Sequence, residues 1–183
     1  MSNDLTKHHI VPTLLTPRLR LRPIETKDAP AIFEMRSDLE NMKFVKMSPY
    51  ENTERALKFI KNVEKDMDQG KVFYWVLELE GTLNAIGTIC LWSFSKDRKN
   101  AEIGYEILPS MQGKGYADDA LKAVIKFAKN ELMLMQIDAV THENHEASIR
   151  LLTNNNFILM GYLNEIDPLA KDGAHMKLFS ITL

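Results

Sequence analysis

The stretch that decides the fold is AEIGYEILPSMQGKGYADDA, residues 101–120. Its first half alternates apolar and polar residues with a period of two, which is typical of a half-buried strand. The apolar members of this alternation are Ile103, Tyr105 and Ile107. Pro109 has no backbone N–H, so we expect regular strand pairing to stop there. From Tyr116 onward the apolar residues recur with helical spacing. The stretch therefore predicts a strand, a short loop and the N-terminus of a helix.

The loop between the strand and the helix has the features of a phosphate site. Gly113 and Gly115 allow a tight turn and a close approach of the backbone to a ligand. The first N–H groups of a helix lack intrahelical partners, and the helix dipole adds positive charge, so such a place binds phosphate. A P-loop would need glycine at Leu108 and a hydroxyl residue at Gly115, and a dinucleotide fingerprint would need glycine at Asp118. We therefore expect a phosphate-bearing cofactor held by a different motif.

The composition predicts one globular domain. A chain of 183 residues, 45% of them hydrophobic, can bury one core, so we expect a single domain over residues 1–183, with 1–13 as a loose lead-in. A net charge of −2 forces no basic face, so nucleic acid is not an expected partner. The first residues contain no apolar signal segment and no run reaches the length of a membrane span. We therefore expect no membrane partner and a cytoplasmic location.

Periodicity along the chain predicts the order strand, two helices, three strands, helix, strand, helix and two strands. The first strand lies in residues 16–23, with Arg18, Arg20 and Arg22 on one solvated face. If the strands that flank the helix at Tyr116 are parallel neighbours and the hairpins are antiparallel, the fold is α/β (α+β by some schemes). It is then a mixed, mostly antiparallel sheet with helices on both faces. An open edge strand of such a sheet can pair with a second copy, giving a homodimer.

Two motifs, in this order, resemble the GNAT superfamily of N-acetyltransferases. The first has the form Q-x-x-G-x-A after a strand and consists of Gln112, Gly113, Lys114, Gly115, Tyr116 and Ala117. The second is NHEASIRLL at 144–152 followed by NNF at 155–157, which is similar to the signature N-x-x-[AS]-S-x-x-[LV]-L…G-F. Asn156 replaces the usual glycine, and asparagine is the next best residue for the left-handed conformation that a helix end often needs. Residues 16–23 and 101–105 look like the branch that contains the ribosomal-protein N-terminal acetyltransferases.

The resemblance implies acetyl-coenzyme A as co-substrate and assigns residues to it. The pantetheine arm would lie beside the strand that ends at Leu108, with the amide of Ile107 or Leu108 facing the thioester carbonyl. The pyrophosphate would rest on the amides of the first motif, that is of Gln112, Gly113, Lys114, Gly115, Tyr116 and Ala117. Asn144 would contact the pantetheine or order a water molecule. No metal is expected, because His142 and His145 lack the cysteine or carboxylate companions of a metal site.

Acetyl transfer from a thioester to an amine needs a base for the amine, a stabilised oxyanion and, in some enzymes, a proton for the thiolate. Glu102 is the candidate base, directly or through water, and Glu106 on the same strand face is the alternative. Ser148 is the candidate acid, because Leu152 stands where many superfamily members have a tyrosine. Asp118 stands where the family often has a small hydroxyl residue, so we expect weaker cofactor binding but not its loss.

The leading hypothesis is an acetyl-coenzyme-A-dependent N-acetyltransferase that acts by direct transfer in a ternary complex. Its acceptor is a primary amine, for which a protein N-terminus is the first candidate. The alternatives are a small amine, such as an antibiotic or a polyamine, and a non-catalytic acyl-coenzyme-A-binding sensor. An open, shallow groove would favour a peptide, and a closed acidic pocket would favour a small cation. Residues 42–50 are expected either to line the acceptor pocket or to cover the sheet.

Overall fold

The computed structural model describes residues 10–45, 47–166 and 175–183, without the side chains of residues 164–166. The predicted order of elements is confirmed, with one addition, a two-residue strand at the start. The elements in chain order are β1 (Leu14–Leu15), β2 (Leu19–Pro23), α1 (Ala29–Ser37), α2 (Thr53–Asp68), β3 (Phe73–Leu79), β4 (Ala85–Trp92), β5 (Asn100–Ile107), α3 (Tyr116–Asn130), β6 (Gln136–His142), α4 (Glu146–Asn154), β7 (Ile158–Ile166) and β8 (His175–Thr182). Within the described ranges, no helix combines the length and the apolar character needed to cross a membrane.

The strands form one sheet in the order β1-β2-β3-β4-β5-β6-β8-β7. Its only parallel pair among the described strands is β5 with β6, so the predicted mixed, mostly antiparallel sheet is confirmed. Helices cover both faces. Leu121 of α3 and Leu152 of α4 belong to the core on one face, and Ile32 of α1 and Ile60 of α2 belong to the core on the other. The fold thus needs both faces of its strands to be apolar near the centre.

The two parallel strands β5 and β6 separate partway along their length. Their register contains three pairs and ends with Glu102 opposite Asp138. Strand β5 nevertheless continues to Ile107 and β6 to His142. The sheet therefore opens at its centre toward the carboxyl ends of these two strands, which is where ligands bind in sheets with parallel strands.

The end of α4 confirms the left-handed residue that the sequence predicted there. Asn156 has φ of +64°. The N–H of Asn156 donates to the Thr153 carbonyl at 3.1 Å, and the N–H of Phe157 donates to the Leu152 carbonyl at 3.0 Å. These two bonds form a Schellman motif, and buried Leu152 and Phe157 supply its apolar contact. The motif turns the chain from α4 into β7.

Two expectations for the N-terminal region need correction. Arg22 is not on a solvated face: it is 5% exposed, and its guanidinium donates to Glu78 at 2.6 Å and to Asp28 at 2.6 Å and 2.8 Å. An alternating basic pattern cannot reveal acidic partners that other segments supply. The lead-in predicted for residues 1–13 is also too long, because Val11 is buried in the core and the Pro12 carbonyl accepts a hydrogen bond from a tryptophan indole. Residues 1–9 lie outside the described ranges.

We expect Asn156→Val to lower the free energy of unfolding by about 1–2 kcal/mol, because a β-branched side chain is strained in the left-handed conformation. Asn156→Gly, the matched control, should leave stability unchanged or raise it slightly, because glycine adopts this conformation without strain. Urea unfolding of the three proteins measures both effects. Equal stability of the valine and glycine variants would contradict the assignment of the motif.

Candidate active site

The opening between β5 and β6 is lined by side chains from both faces of the sheet. Glu106 on β5 contacts Arg36 of α1, whereas its neighbour Tyr105 contacts Ser148 of α4. Because strand side chains alternate, Glu102 shares the face of Glu106 and looks toward α1 and α2. The two candidate catalytic residues, Glu102 and Ser148, therefore approach the opening from opposite faces of the sheet.

The backbone of β5 directs N–H groups into the same opening. The Leu108 N–H donates to the Ile86 carbonyl at 2.9 Å, so this amide is already used in pairing with the β4 side. Alternate residues of an antiparallel strand point their N–H groups at the same neighbour. The amides of Tyr105 and Ile107 therefore point the other way, toward β6, where pairing has ended. Of the two amides that the sequence suggested, only that of Ile107 faces the opening, and the Tyr105 amide was not considered.

The loop after β5 has the left-handed turns that its glycines allow. Gly113 has φ of +73° and Gly115 has φ of +81°. Gly115 is the N-cap of α3 and supplies no side-chain cap, so the first amides of the helix have no side-chain acceptor at this cap. The Gln112 side chain donates to the Ile107 carbonyl at 3.0 Å and to Asn41 at 2.9 Å, although the residue is exposed. It fixes the loop to the strand, and the Lys114 ammonium closes the loop by donating to the carbonyl of Ser110.

Arg18 controls which groups of this loop face outward. Its guanidinium donates to the Lys114 carbonyl at 2.8 Å, to the Gly115 carbonyl at 3.1 Å and to Asp119 at 2.6 Å. It also lies 5.0 Å from the centre of the Tyr116 ring. In a trans peptide the C=O and N–H point in opposite directions. With the two carbonyls held by Arg18, the amides of Gly115 and Tyr116 point away from it. Sequence reasoning placed Arg18 on a solvated face and missed this role.

The carboxylate of Asp118 points away from the loop that precedes α3. One carboxylate oxygen accepts from the Lys122 ammonium at 2.7 Å and the other accepts from the Asn155 amide at 2.7 Å. The hydrogen bond from Lys122 is the main cause that lowers the pKa of Asp118, and the bond from Asn155 adds to it. The carboxylate is therefore turned toward the end of α4, while Ala117 packs against the core. The repulsion of phosphate that the sequence suggested is weakened accordingly.

A cleft of about 380 Å³ lies at the open end of β5 and β6. Its walls come from the loop (Pro109, Gln112), from the start of α4 (Asn144, His145, Glu146, Ala147) and from the segment between α1 and α2 (Glu40, Asn41, Phe44). The Phe44 ring stacks on His145 with 4.4 Å between ring centres. Burial lowers the pKa of His145, and nearby His142 lowers it further. Part of residues 42–50 thus lines the cleft, whereas Met42 and Tyr50 are buried.

Ser148 makes a contact that no sequence motif indicated. Its hydroxyl lies 2.8 Å from the hydroxyl of Tyr105. Burial raises the pKa of Tyr105 to about 12, against a smaller lowering by the bond to Ser148. Leu152, at the position where the resemblance led us to expect a tyrosine, is fully buried in the core. The phenol beside the serine therefore comes from the strand and not from the helix.

The two carboxylates of β5 differ in their surroundings. Glu106 accepts from both Nε and Nη2 of Arg36, at 3.1 Å and 2.8 Å, and Arg36 also donates to the Tyr50 hydroxyl at 3.0 Å. Glu102 is half-buried, and burial raises its pKa, with a further contribution from the charge of Asp138. A raised pKa suits a base, whereas a bidentate arginine partner holds Glu106 in a structural role. Across the described ranges no three His, Cys, Asp or Glu side chains are grouped as metal ligands.

We expect Glu106→Gln to lower the free energy of unfolding by about 3 kcal/mol, because it leaves the buried Arg36 charge without its counter-ion. The matched control is Glu102→Gln on the same strand face. Because its surroundings disfavour the charged form of Glu102, this change should be neutral or slightly stabilising at pH 7. Chemical denaturation measures both variants. A smaller loss for Glu106→Gln than for Glu102→Gln would contradict the structural role of the pair.

Comparison with known proteins identifies this architecture. Residues 18–158 match the Acetyltransferase (GNAT) domain family. YoaA of Bacillus subtilis, an uncharacterized N-acetyltransferase, is 33% identical over 154 residues, which cover 84% of this chain and 87% of YoaA. RimL, a ribosomal L7/L12 alpha-N-protein acetyltransferase, superposes with a TM-score of 0.82 at 17% identity, over 95% of this chain and 94% of RimL. Spermidine N-acetyltransferase from Vibrio cholerae, solved with CoA and spermine, superposes with a TM-score of 0.81 at 22% identity, over 91% and 96%. The structural matches show the fold, and the sequence matches show that the chain belongs to the GNAT family as an acetyl-coenzyme-A-dependent N-acetyltransferase.

Proposed function

We propose that this enzyme transfers an acetyl group from acetyl-coenzyme A directly to a primary amine, with both substrates bound in the opening between β5 and β6. The proposal rests on one observation: the opening leads directly to the loop after β5, whose amides at Gly115 and Tyr116 point away from Arg18. Cofactor and acceptor then reach the opening from opposite faces of the sheet, in agreement with the placement of Ser148 and Glu102. Family membership disfavours the alternative of a non-catalytic sensor.

The pyrophosphate of the cofactor is assigned to the start of α3. The groups that would hold it are the amides of Gly113, Lys114, Gly115, Tyr116 and Ala117, with Gln112 fixing the loop from behind. The turn at Gly113 supports this assignment, because the space where its side chain would lie is empty to 4 Å. The pantetheine would follow β5 past the amides of Ile107 and Tyr105, with Asn144 on the opposite wall of the cleft.

The proposed base is Glu102, acting through water. At about 3.3 Å per residue, Glu102 lies about 10 Å along the strand from Tyr105 and about 17 Å from Ile107. An amine that attacks a thioester carbonyl bound by either amide is therefore too far from the carboxylate for direct proton transfer, which requires about 3 Å. Ser148 is assigned to the departing thiolate, as a hydrogen-bond donor from the other face of the sheet.

The acceptor is proposed to be a cationic amine, with a protein N-terminus as the first candidate and a polyamine as the second. Two hollows meet at Pro109, and on the side of α1 their walls carry three carboxylates: Glu34, Asp38 and Glu40. Negative walls raise the local concentration of a protonated amine. The carboxylates favour a polyamine, whereas an accessible cleft between separate segments favours an extended peptide.

We also propose that β7 is the surface through which a homodimer would form. This strand lies at one edge of the sheet and exposes the apolar residues Ile158, Met160 and Tyr162. Open apolar edges are templates for pairing with another chain. Sedimentation equilibrium at micromolar protein decides between monomer and dimer.

An acceptor panel tests the function. Acetyl-coenzyme A is mixed with short peptides that have a free or a blocked N-terminus, and with spermidine, and the release of free thiol is measured. Turnover with free but not blocked peptides supports a protein N-terminus, and turnover with spermidine alone supports the polyamine. Absence of thiol release, together with absence of heat when coenzyme A is titrated into the protein, would overturn the proposed function.

We expect Glu102→Gln to lower kcat about 100-fold while the affinity for coenzyme A is retained, because general-base catalysis contributes about that much. When kcat/KM of the wild type is measured against pH, activity should fall at the acid end as Glu102 is protonated. Because the pKa of Glu102 is raised, this fall should lie above pH 4.5, the ordinary pKa of a glutamate. Asp138→Asn removes a negative charge that raises this pKa, so the acid limb should move to lower pH. An acid limb that stays in place in Asp138→Asn would exclude Glu102 as the titrating base.

We expect Arg18→Ala to weaken coenzyme A binding about tenfold, because the carbonyls of Lys114 and Gly115 lose a charged donor that orients the loop. Arg20→Ala is the matched control: Arg20 lies two residues further along the chain, on β2, is half exposed and is paired with Glu78 instead of the loop. Isothermal titration calorimetry with coenzyme A measures both. Equal affinities of the two variants would show that the loop holds its shape without Arg18.

A further inference from the structure

The hydrogen bond between Tyr105 and Ser148 links two elements that flank the opening from one face. Tyr105 lies on β5 beyond the last pair with β6, and Ser148 lies in the first turn of α4. Ser148 is buried and Tyr105 is partly buried, so the two hydroxyls meet at 2.8 Å largely out of contact with water. A hydroxyl pair sheltered from solvent is held more strongly than the same pair in water.

The chemistry of the two groups sets the direction of the bond. A phenol is a more acidic hydroxyl than an alcohol, so the phenol is the better donor and the serine oxygen is the better acceptor. When Tyr105 donates, the hydrogen of Ser148 has to point elsewhere. The hydrogen bond that the Ser148 oxygen accepts polarises its O–H bond, so the Ser148 hydroxyl becomes a stronger donor. Its place in the first turn of α4 favours negative charge nearby, because the dipole of the helix is positive at that end.

We infer that Tyr105 is a positioning residue for thiolate departure: it holds the Ser148 hydroxyl as an acceptor, so that Ser148 donates its own hydrogen to the sulfur of coenzyme A. The inference rests on the proposed placement of the thioester beside Ser148. It assigns to the phenol of β5 a supporting task in a chain whose α4 carries Leu152 at the position of a tyrosine.

The step balances without an additional reagent. When the tetrahedral intermediate collapses, the C–S bond breaks and its electron pair passes to sulfur, while the new C–N bond remains. Ser148 stabilises the resulting thiolate by a hydrogen bond, and Tyr105 keeps its proton throughout. The proton that the amine loses passes through water to Glu102. Without Tyr105, the serine hydroxyl is expected to turn back onto the carbonyl of His145 or Asn144, three or four residues earlier, as serine commonly does.

The test measures the pKa of the coenzyme A thiol bound to the enzyme, from the ultraviolet absorbance of its thiolate. Four proteins are compared with coenzyme A as the probe: wild type, Tyr105→Phe, Ser148→Ala and the double variant. Each spectrum is corrected with that of the same protein without coenzyme A, which removes the contribution of Cys90. Tyr162→Phe, on an exposed part of β7, is the matched control for loss of a phenol.

We expect both single variants to raise the pKa of the bound thiol by about 1, because a donor to the thiolate is lost. The double variant should match Ser148→Ala, since Tyr105 acts only through the serine. The kcat for acetyl-coenzyme A, with the best acceptor of the panel or with water, should fall about tenfold in Tyr105→Phe, or about 1.4 kcal/mol, with unchanged KM for the cofactor.

Two results would overturn the inference. One is an unchanged thiol pKa in Tyr105→Phe. The other is a further effect of Tyr105→Phe in the Ser148→Ala background, which would show that the phenol acts by supporting the fold or the cofactor. Failure of the proposed function is recognised separately, because wild-type protein would then bind no coenzyme A in calorimetry. If the wild type binds coenzyme A and turns over, but the effects of Tyr105→Phe and Ser148→Ala on the thiol pKa add up in the double variant, only the role of Tyr105 is refuted.

Discussion

The early end of parallel pairing between β5 and β6 is the constraint on which the rest of the structure depends. After Glu102 and Asp138 the strands no longer share hydrogen bonds, although both continue. Backbone N–H groups on the inner side of β5 are left facing a gap, which an extended ligand can fill as a missing strand would. Because the gap passes through the sheet, side chains of both faces reach it. Two substrates can then meet in the sheet without sharing an entrance.

The charges around this gap are arranged to keep it rigid. Arg36 and Glu106 join α1 to β5 on one face, and Arg18, which directly precedes β2, contacts the loop after β5. A buried ion pair contributes little net stability, but breaking one partner costs several kcal/mol, so such pairs fix geometry more than they add stability. The Arg36–Glu106 pair fixes β5 in this way, whereas Arg18, which is exposed, holds the loop by hydrogen bonds to its carbonyls.

Much of the fold could be predicted from local patterns. Alternation marked β5, the two glycines marked the turn, and helical spacing marked α3, because each of these signals is confined to a few neighbouring residues. Asn156 was interpreted correctly for the same reason, since its conformation depends on the helix end that precedes it. The two glycines and the helix start predicted a phosphate site in this loop, and the family resemblance added which cofactor is expected there.

The contacts that the sequence did not reveal join distant segments. Arg22 meets Glu78, Tyr105 meets Ser148, and Arg36 meets Glu106, at separations of 56, 43 and 70 residues. No local period encodes such a meeting, because it depends on which strands become neighbours and which faces the helices cover. The alternating arginines at 18, 20 and 22 therefore differ in their surroundings: Arg20 is exposed, Arg22 is buried and Arg18 contacts a loop.

The contact between Arg18 and the loop has a consequence for how the chain acquires its activity. It spans 96 residues to Lys114 and 97 to Gly115, and the second wall of the gap, β6 and α4, follows only after α3. Contacts between segments so far apart form slowly compared with local ones. A nascent chain that has emerged only through α3 contains both Arg18 and the loop but lacks the β6 and α4 that form the second wall of the groove beside β5. The groove proposed for the cofactor therefore requires the segment that follows α3.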